Sequence, residues 1–225
     1  MTHPAKPHKP LTAPRMSMRT AVILFAFVVI FTALLAGAYK FTLPAIEAAA
    51  NEEKMKLIGE VLPRSAYDND LLKDTLTLGP SPELGLDTAT TAYRARRGGQ
   101  AVALVFETVA PDGYAGKIRL ILAISPDGTL YGVRVTQHKE TPGLGDYIEP
   151  KKDKNKERPW ITQFDGLNPA ASDARAWQVK KDGGRFDAVA GATVTPRAVV
   201  KAVRRAALYV EAQRAVLFAE QGGQP

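Results

Sequence analysis

The spacing of hydrophobic positions changes three times along the chain, and each change predicts a different kind of element. From Ala21 to Tyr39 about nineteen residues run with Thr32 as the only clearly polar member, enough to cross ~30 Å of hydrocarbon as a helix. From Pro44 to about Leu62, Ala, Glu, Lys, Met, Leu and Ile recur at helical spacing and stop at Pro63, which predicts a stalk helix that continues from the apolar run or kinks away from it. Between Arg64 and Gly99 the pattern weakens around Gly79-Pro80-Ser81-Pro82 and reads as loop with short elements. A sheet signal begins at Ala101–Phe106, β-rich runs follow at Lys117–Ile124 and Leu130–Thr136, and Asp127-Gly128 between the last two is a hairpin signal. Ile161–Phe164 and Trp177–Val179 are candidate edge strands of the same sheet.

Near the C-terminus the period returns to that of a helix. Ala198, Val199, Val200, Ala202, Val203, Ala206, Ala207 and Val210 form one apolar stripe, with Lys201, Arg204 and Arg205 on the polar side. Such a helix can cover one face of an antiparallel meander. The expected fold is therefore α+β, a small antiparallel sheet with flanking helices behind one N-terminal transmembrane helix. The expected segments are a cytoplasmic tail over 1–20, a transmembrane helix over 21–39, a stalk helix and connecting region over 40–99, and a ligand-binding domain over 100–225.

Composition narrows the chemistry. The 225 residues, 45% of them hydrophobic, suffice for one good-sized core. Cysteine is absent, which excludes disulfides, thiolate metal sites and cysteine-ligated iron–sulfur clusters. Of the histidines His3, His8 and His138, two lie in the tail, too few in the folded part for a multi-histidine metal or bis-histidine haem site, so no metal is expected. The formal charge of +7 is spread along the chain without a base-reading motif, and no nucleic-acid partner is expected. Lys6, Lys9, Arg15 and Arg19 precede the apolar run, which predicts a cytoplasmic N-terminus and a domain on the periplasmic side of the inner (cell) membrane. Ala36-Gly37-Ala38 resembles a signal-peptidase site; the long tail favours an uncleaved single-pass anchor.

Two stretches could carry chemistry. In Asp187-Ala188-Val189-Ala190-Gly191-Ala192-Thr193-Val194-Thr195-Pro196 a hydroxyl lies among small residues ahead of a helix start, with Thr195 expected as N-cap and Pro196 as first helical residue. A phosphate on Thr193 would sit near the positive end of the helix dipole; a plain capped helix start is the competing reading. The stretch His138-Lys139-Glu140-Thr141-Pro142-Gly143-Leu144-Gly145-Asp146 follows a strand, and Pro142-Gly143 fits a type II turn. That turn can expose successive N–H groups to a ligand edge and offer Leu144 to a planar ring, or it can be only a turn. His138 reads as a hydrogen-bonded structural residue, and Lys151–Arg158 as a solvated loop. No strand leads through Gly-x-Gly-x-x-Gly into a helix, so a Rossmann dinucleotide site is not expected.

Four motifs occur in order: Gly113-Tyr114-Ala115-Gly116-Lys117-Ile118, then His138 to Asp146, then Trp177 to Asp187, then Gly191-Ala192-Thr193-Val194-Thr195. Together they resemble the FMN-binding domain family of bacterial flavoproteins, and the order of anchor and motifs is similar to that of the G subunits of Rnf-type ion-translocating electron-transport complexes. In that family a flavin transferase reads an Asp-x-x-Ser/Thr-Gly-Ala-Thr motif and moves FMN from FAD onto its last threonine as a phosphoester. The resemblance implies that 100–225 is an FMN-binding domain with covalent FMN on Thr193, which would make the chain a phosphoprotein. It also implies flavin contacts from Thr141, Gly143, Leu144, Gly145, Lys180, Gly191 and Ala192, and transferase recognition through Asp187, Gly191, Ala192 and Thr193. Ala190 stands where the family usually has Ser or Thr.

The implied function is a one-flavin electron relay without turnover of its own and with no catalytic residue, partnered by the other subunits of the complex, the membrane and the transferase. The C subunits of sodium-pumping NADH:quinone reductases are similar in anchor and motif. An exported binding module without a flavin is the remaining alternative.

Overall fold

The computed structural model describes residues 13–219, so most of the expected cytoplasmic tail over 1–20, with His3, His8, Lys6 and Lys9, lies outside the described residues. The chain divides after Glu52 into two compact units. Most of the first is a single helix, α1 (Ala13–Val61), which runs through Pro44 without a break. Among the described residues it is the one helix long and apolar enough to cross a membrane. The expected span over 21–39 lies within it. Its side chains from Val22 to Phe41 are exposed and largely apolar, and Thr20 and Thr42 return their hydroxyls to the carbonyls of Met16 and Ala38, both at 3.0 Å. Satisfying polar groups inside the helix suits a segment surrounded by hydrocarbon.

The last residues of α1 belong to the second unit, and the helix ends just before Pro63, as its N–H-less ring requires. That unit is built on one antiparallel sheet of five strands in sequence order: β1 (Thr75–Leu78), β2 (Thr90–Arg97), β3 (Gln100–Ala110), β4 (Ile118–Ile124) and β5 (Leu130–Gln137). The Asp127-Gly128 hairpin joins β4 to β5, with Gly128 at φ +87. Both faces of the sheet are covered. Leu104, Phe106, Leu120 and Leu122 meet α2 (Val194–Ala212), whose buried side includes every residue of the apolar stripe expected for it. On the opposite face Val105, Ile121 and Ala123 meet Ile58, Val61 and Leu62 from the end of α1 and the residue after it. The approach there is close enough that a Cβ on Gly132 would lie 2.9 Å from the Val61 carbonyl oxygen. A short helix, α3 (Arg214–Leu217), closes the described chain.

Two expectations change. The stretch 64–99 supplies strands β1 and β2, turned into β3 through Gly98 and Gly99 at φ +57 and +82. The alternation in β2 is masked by Arg94 and Arg96, which point from one face and are buried because Asp74 accepts their Nε–H groups at 2.8 and 2.6 Å. The expected edge strands do not form. Trp160–Phe164 is a 3-10 helix that buries Trp160, Ile161 and Phe164 at helical rather than alternating spacing, and Val179 makes only an isolated parallel bridge with Phe186. Their rings, with Tyr147 and Trp177, form an aromatic cluster with centroids 4.7 to 6.1 Å apart, which exploits stacked and edge-on contacts instead of ladder hydrogen bonds.

Candidate functional site

The start of α2 falls two residues earlier than the sequence suggests. Helical geometry begins at Val194, so Thr193 takes the N-cap position and Pro196 the third helical one, where its missing N–H is among those left free at a helix start anyway. Thr195 is therefore not the cap. Its hydroxyl is 1% exposed and donates a short hydrogen bond to Glu140 Oε2. Thr193 is partly exposed and makes no side-chain capping bond. Of the two hydroxyls near this helix end, the accessible and uncommitted one is that of Thr193.

A cavity of about 220 Å³ opens beside this helix start, lined by Tyr114, Glu140, Thr141, Leu144, Gly145, Gly191, Ala192, Val194 and Thr195. Three of the four sequence motifs thus meet at one place. Tyr114, Leu144 and Val194 are exposed apolar side chains, a surface suited to the face of a planar ring. Of the expected flavin contacts, Thr141, Leu144, Gly145, Gly191 and Ala192 line the cavity. Thr193 lies between two lining residues. Gly143 and Lys180 are not part of the lining: Gly143 holds the turn at φ +76, and Lys180 pairs with Asp187 at 2.5 Å on the surface.

The turn does not present a row of free N–H groups, because all three are satisfied within it. Gly143 donates to Asp146 Oδ1 at 2.8 Å, and Leu144 and Gly145 donate to the Thr141 carbonyl at 3.1 and 3.0 Å. The turn instead offers Leu144 and a fixed shape. That shape depends on Glu140, which sequence reasoning quoted within the loop but did not single out. This carboxylate is 4% exposed; besides the Thr195 hydroxyl it accepts the Ala115 N–H at 3.0 Å, and its own N–H donates to His138 Nδ1 at 3.1 Å. His138 is structural, as expected, and its other ring nitrogen lies 3.5 Å from Glu149. Gly145 has no room for a side chain: a Cβ would lie 2.8 Å from Thr195 Oγ1 and 2.9 Å from Glu140 Oε2.

The motif loop before Thr193 is tied down from below. Trp160 Nε1–H donates to the Asp187 carbonyl at 2.7 Å, and the Asp187 N–H donates to Gln163 Oε1 at 3.0 Å. Within the otherwise exposed 151–158 loop, Asp153 is the buried member and accepts the Trp160 N–H. The Tyr147 hydroxyl bridges the loop, accepting the Val189 N–H and donating to the Ala192 carbonyl, each at 3.4 Å. Gly191 at φ +83 then turns the chain into α2. The Asp187 carboxylate remains on the surface, half-exposed, where another protein can reach it.

Burial pushes the Tyr147 phenol up to about 12; the Val189 N–H opposes this, and the Asp153 and Asp187 carboxylates add to it. Because the folded value lies above the ordinary 10.0, the contribution to stability is full below pH 10 and is lost as pH rises towards 12. Tyr147→Phe should therefore show a shallower alkaline decline in stability than the wild type, measured by urea unfolding across that range. Equal declines would mean that this phenol is not the group responsible.

These arrangements coincide with what comparison with known proteins shows. Residues 113–208 match the model of the FMN-binding domain. The chain is similar to the G subunit of the ion-translocating oxidoreductase complex of Pseudomonas aeruginosa, 44% identical over 207 residues, which cover 92% of this chain and 94% of the relative. It is also similar to the proteins of the same name from Vibrio cholerae, 41% identical over 200 residues (89% and 91% of the two chains), and Shewanella loihica, 40% identical over 204 residues (91% and 94%).

Proposed function

Because this chain belongs to the family of G subunits of ion-translocating oxidoreductase complexes, we propose that it relays electrons through an FMN joined by a phosphoester to Thr193. The observation that carries the reading is the meeting of the 141–145 turn and the start of α2 around one cavity, with the accessible Thr193 hydroxyl between the lining residues Ala192 and Val194. When bound, the flavin supplies the one- and two-electron chemistry. The chain's own residues bind and orient it. Leu144, Tyr114 and Val194 give the ring an apolar face, and the free N–H groups at the start of α2 favour the phosphate. Glu140 and Tyr147 hold the two loops in register. The residues fit the group.

Attachment needs an outside enzyme. In the proposed step a flavin transferase directs Thr193 Oγ onto the FMN phosphorus of FAD. A new O–P bond forms, the pyrophosphate bond breaks, AMP leaves, and the hydroxyl proton is given up. Asp187 and the slim Gly191-Ala192 pair are the features it would read. The α1 anchor would place the domain on the periplasmic side of the cell membrane, beside the other subunits of the complex.

The test is to produce the full chain with a flavin transferase and denature it. Flavin fluorescence should stay with the protein on a denaturing gel, and a tryptic peptide containing Thr193 should carry the mass of FMN less water. Flavin released wholly on denaturation would leave a non-covalent site, and no flavin at all would return the chain to the exported binding module.

A further inference from the structure

A second hollow, about 430 Å³, lies between the segment 174–182 and the polar side of α2, and none of its lining residues belongs to the cavity beside Thr193. Arg197, Lys201, Arg204 and Arg205 line it from the helix at steps of four, seven and eight residues, one face of an α-helix about 10–12 Å long. Two of these cations are already matched. Arg197 makes a two-pronged pair with Asp182 at 2.6 Å, and Lys201 meets Asp112 at 2.9 Å. Arg205 donates through Nη2 to the Val109 carbonyl at 3.3 Å and lies within electrostatic reach of Glu83 and Asp112. Arg204, also partly buried, makes no ion pair among the described residues.

The hydrogen-bond inventory points to the same hollow. Among the described residues, three buried side-chain polar atoms lack a partner: Trp177 Nε1, Arg204 Nε and Arg205 Nε. All three belong to residues that line this hollow, and all three are donors. A buried donor left unpaired forfeits its hydration without return, so native folds rarely keep several together without something to accept from them. Trp177 is only 4% exposed, so its unpaired indole N–H is a feature of the built fold rather than of a loose surface.

We propose that this groove docks an acidic, carboxylate-bearing segment of a partner protein. The charge of Arg204, which has no ion-pair partner among the described residues, and the unpaired donors Arg204 Nε, Arg205 Nε and Trp177 Nε1 call for anionic acceptors. The row of cations along the helix is longer than one ion, which matches an extended peptide rather than a single small anion. The groove is independent of the flavin, so its test stands whether or not Thr193 is loaded.

The experiment uses the full chain in detergent and a fluorescein-labelled octaglutamate peptide. The wild type should bind it with an affinity that falls as salt rises, and one of the two indole N–H resonances, assigned to Trp177 by its loss in Trp177→Phe, should move. Arg204→Gln should weaken binding about tenfold or more while leaving the thermal midpoint unchanged or higher, because it removes an unpaired buried donor. Lys201→Gln, already matched by Asp112, should weaken it less. Trp177→Phe, which deletes the indole donor, should weaken binding about threefold even if Arg204→Gln fails to fold. Arg119→Gln, an exposed cation elsewhere on β4, should bind as the wild type does. The proposal is overturned if Arg204→Gln and Trp177→Phe bind like the wild type, or if Arg119→Gln loses as much. Two further results would also overturn it: inorganic phosphate moving the Trp177 resonance and displacing the peptide at equal ionic strength, or phosphatidylglycerol vesicles binding through these residues where the peptide does not.

Discussion

Thr193→Ala, produced alongside a flavin transferase, should fold as the wild type does and carry no flavin fluorescence after denaturation. The effect is all or none because the hydroxyl oxygen is the atom that would form the ester bond. The cost to the fold should be under about 0.5 kcal/mol, since Thr193 occupies the N-cap position but makes no side-chain capping bond to lose. Thr195→Ala should behave in the opposite way. Its hydroxyl is buried and committed to Glu140, so removing it should cost about 1–3 kcal/mol by leaving part of a buried carboxylate unsatisfied, while the label stays. Ala190→Ser, which restores the residue usual in the family and stands on an exposed position, should label at least as well as the wild type. Label retained in Thr193→Ala, or lost in Thr195→Ala while the protein stays folded, would move the attachment point and defeat the assignment.

The contrast between these two threonines shows where the sequence stopped being informative. Both sit ahead of an apolar stripe, and Thr195-Pro196 has the stronger local signature of a helix start. What displaces the start to Val194 is a partner fifty-five residues away, Glu140, which takes the Thr195 hydroxyl into the interior. Local spacing carries no record of such a contact. The same holds for β2. The stretch reads as loop because Arg94 and Arg96 break the apolar pattern of the strand, and local spacing does not show that Asp74 neutralises them from outside it. By contrast, the apolar span and the Asp127-Gly128 hairpin are written in local composition, and the stripe of α2 depends on burial of a whole face, which periodicity records directly. The aromatic residues between 160 and 186 failed as strands because clustered rings pack by edge and face, which leaves no two-residue period to find.

Glu140→Ala should be the most destabilising single change at the cavity, by about 2–4 kcal/mol in urea unfolding. The carboxylate is 4% exposed and is the common acceptor for the Ala115 N–H and the Thr195 hydroxyl, so truncating it leaves the buried Thr195 hydroxyl without its acceptor and unties the Ala115 N–H from the wall. The three segments it joins are the Gly113–Ile118 loop, the turn after β5 and the start of α2, and each contributes to the cavity wall. Loosening them together should also lower the yield of covalent flavin, although Glu140 would not touch the ester. Glu140→Gln separates geometry from charge. Its carbonyl can still accept the Ala115 N–H, and its amide can donate to the Thr195 oxygen, so about 1 kcal/mol or less should be lost. Removing a negative charge from the wall makes it easier to place an electron nearby, so the flavin potential of Glu140→Gln should lie above that of the wild type, by redox titration of the loaded protein. If the glutamine variant were as unstable as the alanine one, the carboxylate's charge rather than its position would hold the loops. If its potential did not rise, Glu140 would be a structural post with no electrical influence on the site.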